Sequence, residues 1–405
     1  MKVVQEIDDR HVLVVNQFTL PRTEGGITRH VDLFDNVQGW RATFIAGNRS
    51  YSTQRKFETE DERFILLAVP NYSGSLKKRA LSWLIYFFGA LLAGFKVKNV
   101  DAVYASSPQL LAPLAGLVIA KLRRVPFVLE IRDLWPETFL SAGLIRRGGM
   151  LHRSLRALEL LLVRNADEIV TVTVGWEEHF AQSGADLSRY HVVPNGANAA
   201  PALTSAERVN MRESLGLSGT VAVFAGSHGP KDGLDEVLDA ARSLPEVSFL
   251  LLGDGVEKER LARRAQRESL TNVTFHDYVP KSELPRYLSA CDIGIHCVAP
   301  LSVFREGMSP NKLYDYLSVG LPIVSNAGAG ISRIVGEEEC GFVGETGDIT
   351  RGIVSVLQAN SETRNSWHSR ARLLAENRFS RSDAGAEIER VLAVAVQRGA
   401  RPLHR

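Results

Sequence analysis

Short apolar, β-branched runs alternate with helix-patterned stretches along this 405-residue chain, and that alternation constrains the fold more than any other feature. In the first half the runs are Val12–Val15, Thr43–Ala46, Ile65–Val69, Ala102–Ala105, Phe127–Glu130, Glu168–Val172 and Tyr190–Val193. In the second they are Val221–Ala225, Ser248–Leu252, Val273–Phe275, Asp292–His296, Ile323–Ser325 and Gly341–Val343. Each is bounded by Gly, Pro, Asn or charge, the punctuation expected of buried strands. Helical patterns such as Leu234–Ser243, Glu257–Gln266 and Asn311–Val319 fill the intervals. Strand–helix alternation implies parallel sheets covered on both faces. Two such series predict two Rossmann-like doubly wound domains, divided where Pro, Asn, Gly and Ala cluster near Pro194–Ser205. In such sheets, ligands bind at the carboxyl ends of the strands.

Composition agrees with two globular cores: 45% of residues are apolar and 23% charged. A net charge of +2 argues against nucleic acid as partner. The three cysteines, Cys291, Cys297 and Cys340, form no CxxC pair and are expected as reduced core residues. The first apolar run, Val12–Val15, is too short for a signal peptide, so the expected location is cytoplasmic. No metal site is expected, since His and carboxylates do not cluster at ligand spacing.

Ala80–Phe95 (ALSWLIYFFGALLAGF) carries no charge, and Lys77, Lys78, Arg79, Lys96 and Lys98 flank it. It is shorter than the roughly 20 residues that span a bilayer. Two readings stay open: a buried crossover helix, or a helix lying in the membrane interface with basic flanks on anionic lipid.

Several strand ends carry chemistry. After the first strand, TLPRTEGGITRH places Gly25 and Gly26 where backbone can approach a phosphate. It is not GxGxxG, so the dinucleotide fingerprint is missing. EIRDLWP sets Glu130, Arg132 and Asp133 at a strand's carboxyl end, and HVVPNGAN is read as an interdomain connection. AGSHGPKDGL offers Gly226, Ser227, Gly229 and Lys231 to a diphosphate, with His228 a lone histidine. LLGDG adds a turn at Gly253. The densest signal is FREGMSPNKLYDYLSVGLPIVSN, Phe304–Asn326. There Pro310 and Asn311 open a helix with Lys312 in its first turn. A cation at a helix N-terminus opposes the macrodipole, so an anion is expected beside it. Asp315 lies one turn on, within reach of a ribose diol.

Together these segments resemble the retaining GT-B glycosyltransferases of glycosyltransferase family 4, and more narrowly fucosamine-transferase-like members that build O-antigen or capsule. The resemblance runs from about Val12 to Phe379. It implies two Rossmann-like domains facing a central cleft: an N-terminal acceptor domain over 1–199 with a crossover helix at about 380–405, and a donor domain over 200–379. It also implies that the last helices, about Thr363 to Gln397, return to the N-terminal domain. The implied reaction moves a sugar from a nucleotide-sugar, UDP-linked, to a polyprenyl-diphosphate-linked saccharide. It keeps the anomeric configuration and uses no metal or other cofactor. The place implied is the cytoplasmic face of the membrane.

By the same resemblance, Asp133 stands beside the reacting centre, Lys312 and Lys231 meet the diphosphate, and Asp315 takes the ribose. Gly25, Gly26, Gly226, Ser227, Gly253, Asn311 and Leu313 line the donor. The chain departs from the pattern at three points. Position 315 is Asp where the family has Glu. Gly307 stands where its first glutamate falls, leaving the adjacent Glu306 as candidate. Its usual loop arginine is replaced by Ser227 and His228, for which Arg305 is the candidate compensation. A UDP-sugar 2-epimerase and a non-catalytic partner subunit are the alternative readings.

Overall fold

The computed structural model describes residues 10–24, 28–51, 54–72, 75–141, 143–301 and 307–399. They form two compact units, Met1–Pro194 with Arg381–Arg405, and Asn195–Ser380. Gly25, Gly26, Arg305 and Glu306 lie outside the described residues.

Unit 1 is built on seven parallel strands: β1 (Arg10–Val15), β2 (Trp40–Gly47), β3 (Phe64–Leu67), β4 (Ala102–Ser106), β5 (Phe127–Ile131), β6 (Glu168–Thr171) and β7 (Tyr190–Val192), in the order β3-β2-β1-β4-β5-β6-β7. Unit 2 repeats the plan with six: β8 (Thr220–Ala225), β9 (Val247–Leu252), β10 (Val273–His276), β11 (Ile293–His296), β12 (Ile323–Ser325) and β13 (Gly341–Val343), ordered β10-β9-β8-β11-β12-β13. Every expected run therefore becomes a strand. The central ones are buried on both faces, which is why they read as unbroken apolar runs and not as an alternation. In both sheets the strand order reverses beside the first strand, between β1 and β4 and between β8 and β11. That reversal is the switch point at which doubly wound sheets hold ligands.

One core of unit 1 joins Val12, Phe44 and Tyr104 to Ile388, Val391, Leu392 and Ala395. The last four come from the helix Arg381–Gly399, so the end of the chain completes the first unit. The preceding helix, Ser361–Asn377, belongs to unit 2, where Ala371, Leu374 and Ala375 enter its core. The return to the first unit is thus one helix, and the expectation that it begins near Thr363 is corrected to Arg381. The break falls at Phe379, whose carbonyl oxygen accepts from Ala197 N at 3.0 Å inside unit 2.

The Ala80–Phe95 segment lies in a helix of 21 residues, Leu76–Lys96. Tyr86 and Ala90 are fully buried, with Tyr86 donating to Ile45 O at 2.7 Å. The opposite face is exposed at Leu81, Leu84, Ile85, Phe88, Leu92 and Phe95, with Phe88 at 60% and Leu92 at 69%. The reading as a wholly buried crossover helix is therefore overturned. No helix among the described residues is long and apolar enough to cross a membrane. Cys291, Cys297 and Cys340 are buried free thiols.

Candidate functional site

In unit 2 the polar groups gather where β8 and β11 part. β8 runs into Gly226, and the chain closes a 3-10 turn at Pro230–Asp232 before the helix Asp235–Ser243. From the other side, extended backbone at Pro310 starts the helix Asn311–Ser318. Tyr316 anchors this helix: its hydroxyl donates to Ile295 O and accepts from Ala225 N, both at 2.9 Å. Lys312 is one turn earlier and so shares that face. Its Nζ lies 2.9 Å from Asp232 Oδ1 and 3.7 Å from the centre of the Phe224 ring. Gly226 gives the lysine its room, because a Cβ there would lie 2.9 Å from Lys312 Cε. Gly253 fits against Gly226 in turn: a Cβ at 253 would stand 1.9 Å from Gly226 O. Ser227 Oγ donates to Asp232 Oδ2 at 2.9 Å, so the carboxylate spans both expected partners of a diphosphate.

The electrostatics follow from burial. Desolvation lowers the pKa of the Lys312 ammonium, and Asp232 opposes that shift. Desolvation, then Lys312, pushes His296 down to about 3; its Nδ1 sits 2.9 Å from Ser325 Oγ. Desolvation, then Lys258, pushes His228 down to about 4, and neither of its ring nitrogens has a hydrogen-bond partner among the described residues. Both imidazoles are neutral at pH 7, leaving Lys312 as the buried cation beside the two.

Asp315 is the second fixed point. Both its carboxylate oxygens accept from Lys281 Nζ, Oδ2 at 2.6 Å. The carboxylate expected to be open to a ribose is therefore already paired, and the anion expected beside Lys312 is a protein side chain, Asp232. Neither partner was singled out from sequence. Asp232 stood inside the quoted AGSHGPKDGL, whereas Lys281 follows β10 with no local signal. Lys231 and Asn311 are exposed, while Leu313 is wholly buried in the core, so only its backbone can face a ligand.

In unit 1 the polar centre is Glu130, at the carboxyl end of β5 and fully buried. Its Oε1 accepts from Arg29 Nε at 2.9 Å and Tyr104 OH at 2.8 Å. Its Oε2 accepts from Ser106 Oγ at 2.5 Å and lies 2.8 Å from His30 Nε2. Burial alone would raise this carboxyl's pKa, but Arg29 and His30 outweigh it and hold the group well below the ordinary range. Arg29 also donates to Val193 O and Pro194 O, so the hub ties β4, β5 and the end of β7 to one helix. Asn16 Nδ2 bridges β1 to β4 at the switch point, donating to Ser106 O at 3.0 Å and Ser107 O at 2.7 Å. Asp133 is exposed and stands two residues past β5. Trp135 packs on Trp83 of the Leu76–Lys96 helix, with ring centroids 5.4 Å apart, and on Phe139 at 4.3 Å.

Among the described residues, Glu137, Glu159 and His179 bring possible metal-ligand atoms within 4.8 Å of one another. Arg156 already bonds Glu159 Oε2 and lies 3.1 Å from His179 Nε2, so a guanidinium supplies the positive charge there.

Two doubly wound parallel sheets, each with polar groups at its switch point, define a two-unit α/β protein of the GT-B class. The chain belongs to the GT-B glycosyltransferases: residues 36–196 match the glycosyl transferase 4-like domain and residues 208–374 match the glycosyl transferases group 1 domain. It is similar to the putative colanic acid biosynthesis glycosyl transferase WcaI of Escherichia coli (strain K12), 27% identical over 63% of this chain and 64% of that one. It is also similar to the probable glycosyltransferase WbjE of Pseudomonas aeruginosa, 25% identical over 66% of this chain and 69% of that one. The likeness to WcaI thus spans less than two thirds of that relative's length. Anabaena HepE, solved in complex with UDP, shares the fold with a TM-score of 0.69 at 19% identity, over 95% of this chain and 99% of that one.

Proposed function

We propose that the chain transfers a sugar from a UDP-sugar held by unit 2 to a lipid-linked saccharide that unit 1 meets at the cytoplasmic face of a membrane, in the synthesis of a surface polysaccharide. The observation that carries this reading is Lys312, a buried cation fixed at the switch point of unit 2 by Asp232 and Phe224. The UDP bound by HepE and the pathway in WcaI's name support the donor and the setting. By its resemblance to fucosamine-transferase-like enzymes, the sugar is an N-acetylated deoxy-amino sugar.

In this reaction the bond from the anomeric carbon to the diphosphate breaks, and a bond to the acceptor hydroxyl forms on the same face. The hydroxyl's proton passes to a departing diphosphate oxygen, and UDP leaves. Lys312 stabilises the charge that grows on that diphosphate, a term that is often the largest in such catalysis. Lys231, exposed on the neighbouring turn, adds a second cation. Asp315 accepts from the ribose hydroxyls while Lys281 holds its carboxylate in place. Asp133 orients the acceptor hydroxyl. No metal or organic cofactor takes part.

The membrane side of the reading rests on the Leu76–Lys96 helix. Its exposed apolar stripe is bordered by exposed Lys77, Lys78, Lys96 and Lys98. An apolar face with basic flanks suits an anionic lipid surface, where each lysine contributes about 1 kcal/mol.

The deciding experiment compares thermal unfolding with UDP, GDP, ADP and NAD. A nucleotide at about 100 times its Kd stabilises by about 2.7 kcal/mol. A shift with UDP alone supports the reading; no shift with millimolar UDP removes it.

A further inference from the structure

Arg132 is a cation whose Nε is buried and has no hydrogen-bond partner among the described residues. It follows β5 directly and is half-buried, and among the described residues its side chain has no hydrogen-bond or ion-pair partner. Its backbone N–H donates to Ser107 Oγ at 2.8 Å, which fixes where the side chain starts. The nearby Glu130 does not serve it. A carboxylate has about four acceptor sites, and Arg29, Tyr104, His30 and Ser106 occupy those of Glu130. Desolvation lowers the pKa of Arg132; Glu130 opposes that shift at a distance, Arg29 adds to it, and neither Glu130 nor Asp133 hydrogen-bonds the guanidinium among the described residues. Burying an unpaired guanidinium is costly, and Arg132 Nε is a buried donor with no acceptor. A residue in that state, at the carboxyl end of a doubly wound sheet, is placed to receive an oxyanion. Its planar fork matches phosphate oxygens.

We propose that Arg132 binds the diphosphate of the lipid-linked acceptor, and so is the residue that positions that substrate on unit 1. This rests on the transferase reading above. The choice of an amphiphile comes from what adjoins the loop. Trp135, three residues on, packs against Trp83, and Trp83 belongs to the helix whose other face exposes Leu84, Phe88 and Leu92. Arg79, on the same helix, lies 5.5 Å over the Trp83 ring and also has a buried Nε without an acceptor among the described residues. Anionic recognition and an apolar surface are thus joined through one pair of tilted indoles in contact. A molecule with a charged head and a hydrocarbon tail is the ligand that uses both.

The test measures binding of geranylgeranyl diphosphate to the full chain with UDP at saturation, and geranylgeraniol serves as the neutral control. Wild type is expected to bind the diphosphate and not the alcohol. Arg132→Gln should weaken that binding at least tenfold, Arg132→Lys should restore part of it, and neither should change the affinity for UDP. An unchanged UDP-induced melting shift certifies that each variant is folded. Equal binding by Arg132→Gln and wild type overturns the proposal. Weakened UDP binding with intact prenyl diphosphate binding also overturns it, because the oxyanion would then belong to the donor. Wild type that binds UDP but no prenyl diphosphate overturns it and leaves the donor assignment standing. Wild type that binds no UDP removes the transferase reading itself.

Discussion

Lys312 Nζ lies 2.9 Å from Asp232 Oδ1, joining the first turn of one helix to the 3-10 turn that follows β8. Their side chains are 11% and 7% exposed, so neither charge can turn to solvent for compensation. The pair holds in place the cation assigned to the proposed transfer step, and it makes the site's stability depend on its own carboxylate.

Removing Asp232 exposes that dependence. Breaking one partner of a buried ion pair costs about 3–5 kcal/mol, so Asp232→Asn should lower the melting temperature markedly. UDP should recover more stability in the variant than in wild type, because its diphosphate replaces the missing anion. Thermal melts with and without UDP read this directly, and equal UDP shifts in the two proteins would contradict it.

Removing the cation acts on catalysis instead. Lys312→Ala should reduce kcat by about 10² to 10³-fold, the usual effect of losing one stabiliser of developing charge. Near-normal turnover in a folded variant would sink the assignment. Gly226→Ala should act in the same direction, since its Cβ would displace the lysine.

The Asp315–Lys281 pair bears on donor affinity. Hydrogen bonds to a charged group contribute about 1.5–3 kcal/mol, so Asp315→Asn should raise the donor KM about tenfold or more with a smaller change in kcat. Initial rates at varied donor concentration settle it. An unchanged donor KM would mean the ribose sits elsewhere.

Acid should weaken the fold through its buried imidazoles. His296 has its pKa pushed down to about 3 in the folded protein and stays neutral there, whereas the unfolded chain takes up a proton near 6.5. The unfolded state therefore binds more protons between these values, and stability falls as pH falls through that window, by at most about 1.4 kcal/mol per pH unit. Between pH 7 and pH 5 the loss through His296 is about 2 kcal/mol on this basis. Urea unfolding of wild type and His296→Asn at both pH values should show the variant less sensitive by that amount.

The exposed stripe makes a separate prediction. Phe88→Asp with Leu92→Asp should abolish sedimentation with phosphatidylglycerol vesicles while leaving UDP binding intact. Unchanged sedimentation would move the membrane contact away from this helix.

The sequence-based reading and the structure part company at identifiable places. Strands were legible because central positions such as Val12–Val15 are buried on both faces and so leave an unbroken apolar run. The switch points were legible as places because glycine and polar residues must follow such runs. Partners across the sheet were not: Lys281 meets Asp315 from 34 residues away, and Arg29 meets Glu130 from 101. Nothing local encodes such distances. The Ala80–Phe95 segment stayed ambiguous for a different reason. Its apolar residues surround the helix, so periodicity alone could not separate the face under Tyr86 from the face bearing Phe88.

The helix Arg381–Gly399 supplies Ile388, Val391, Leu392 and Ala395 to a core whose other members lie before Pro194. On the ribosome this sets an order of events. The segment Asn195–Ser380 emerges complete and can fold as it is made. The earlier segment waits, its hydrophobic seam open, until the last helix is released. Unit 1 is thus the later of the two to mature, and its open core should need chaperones more than unit 2 does.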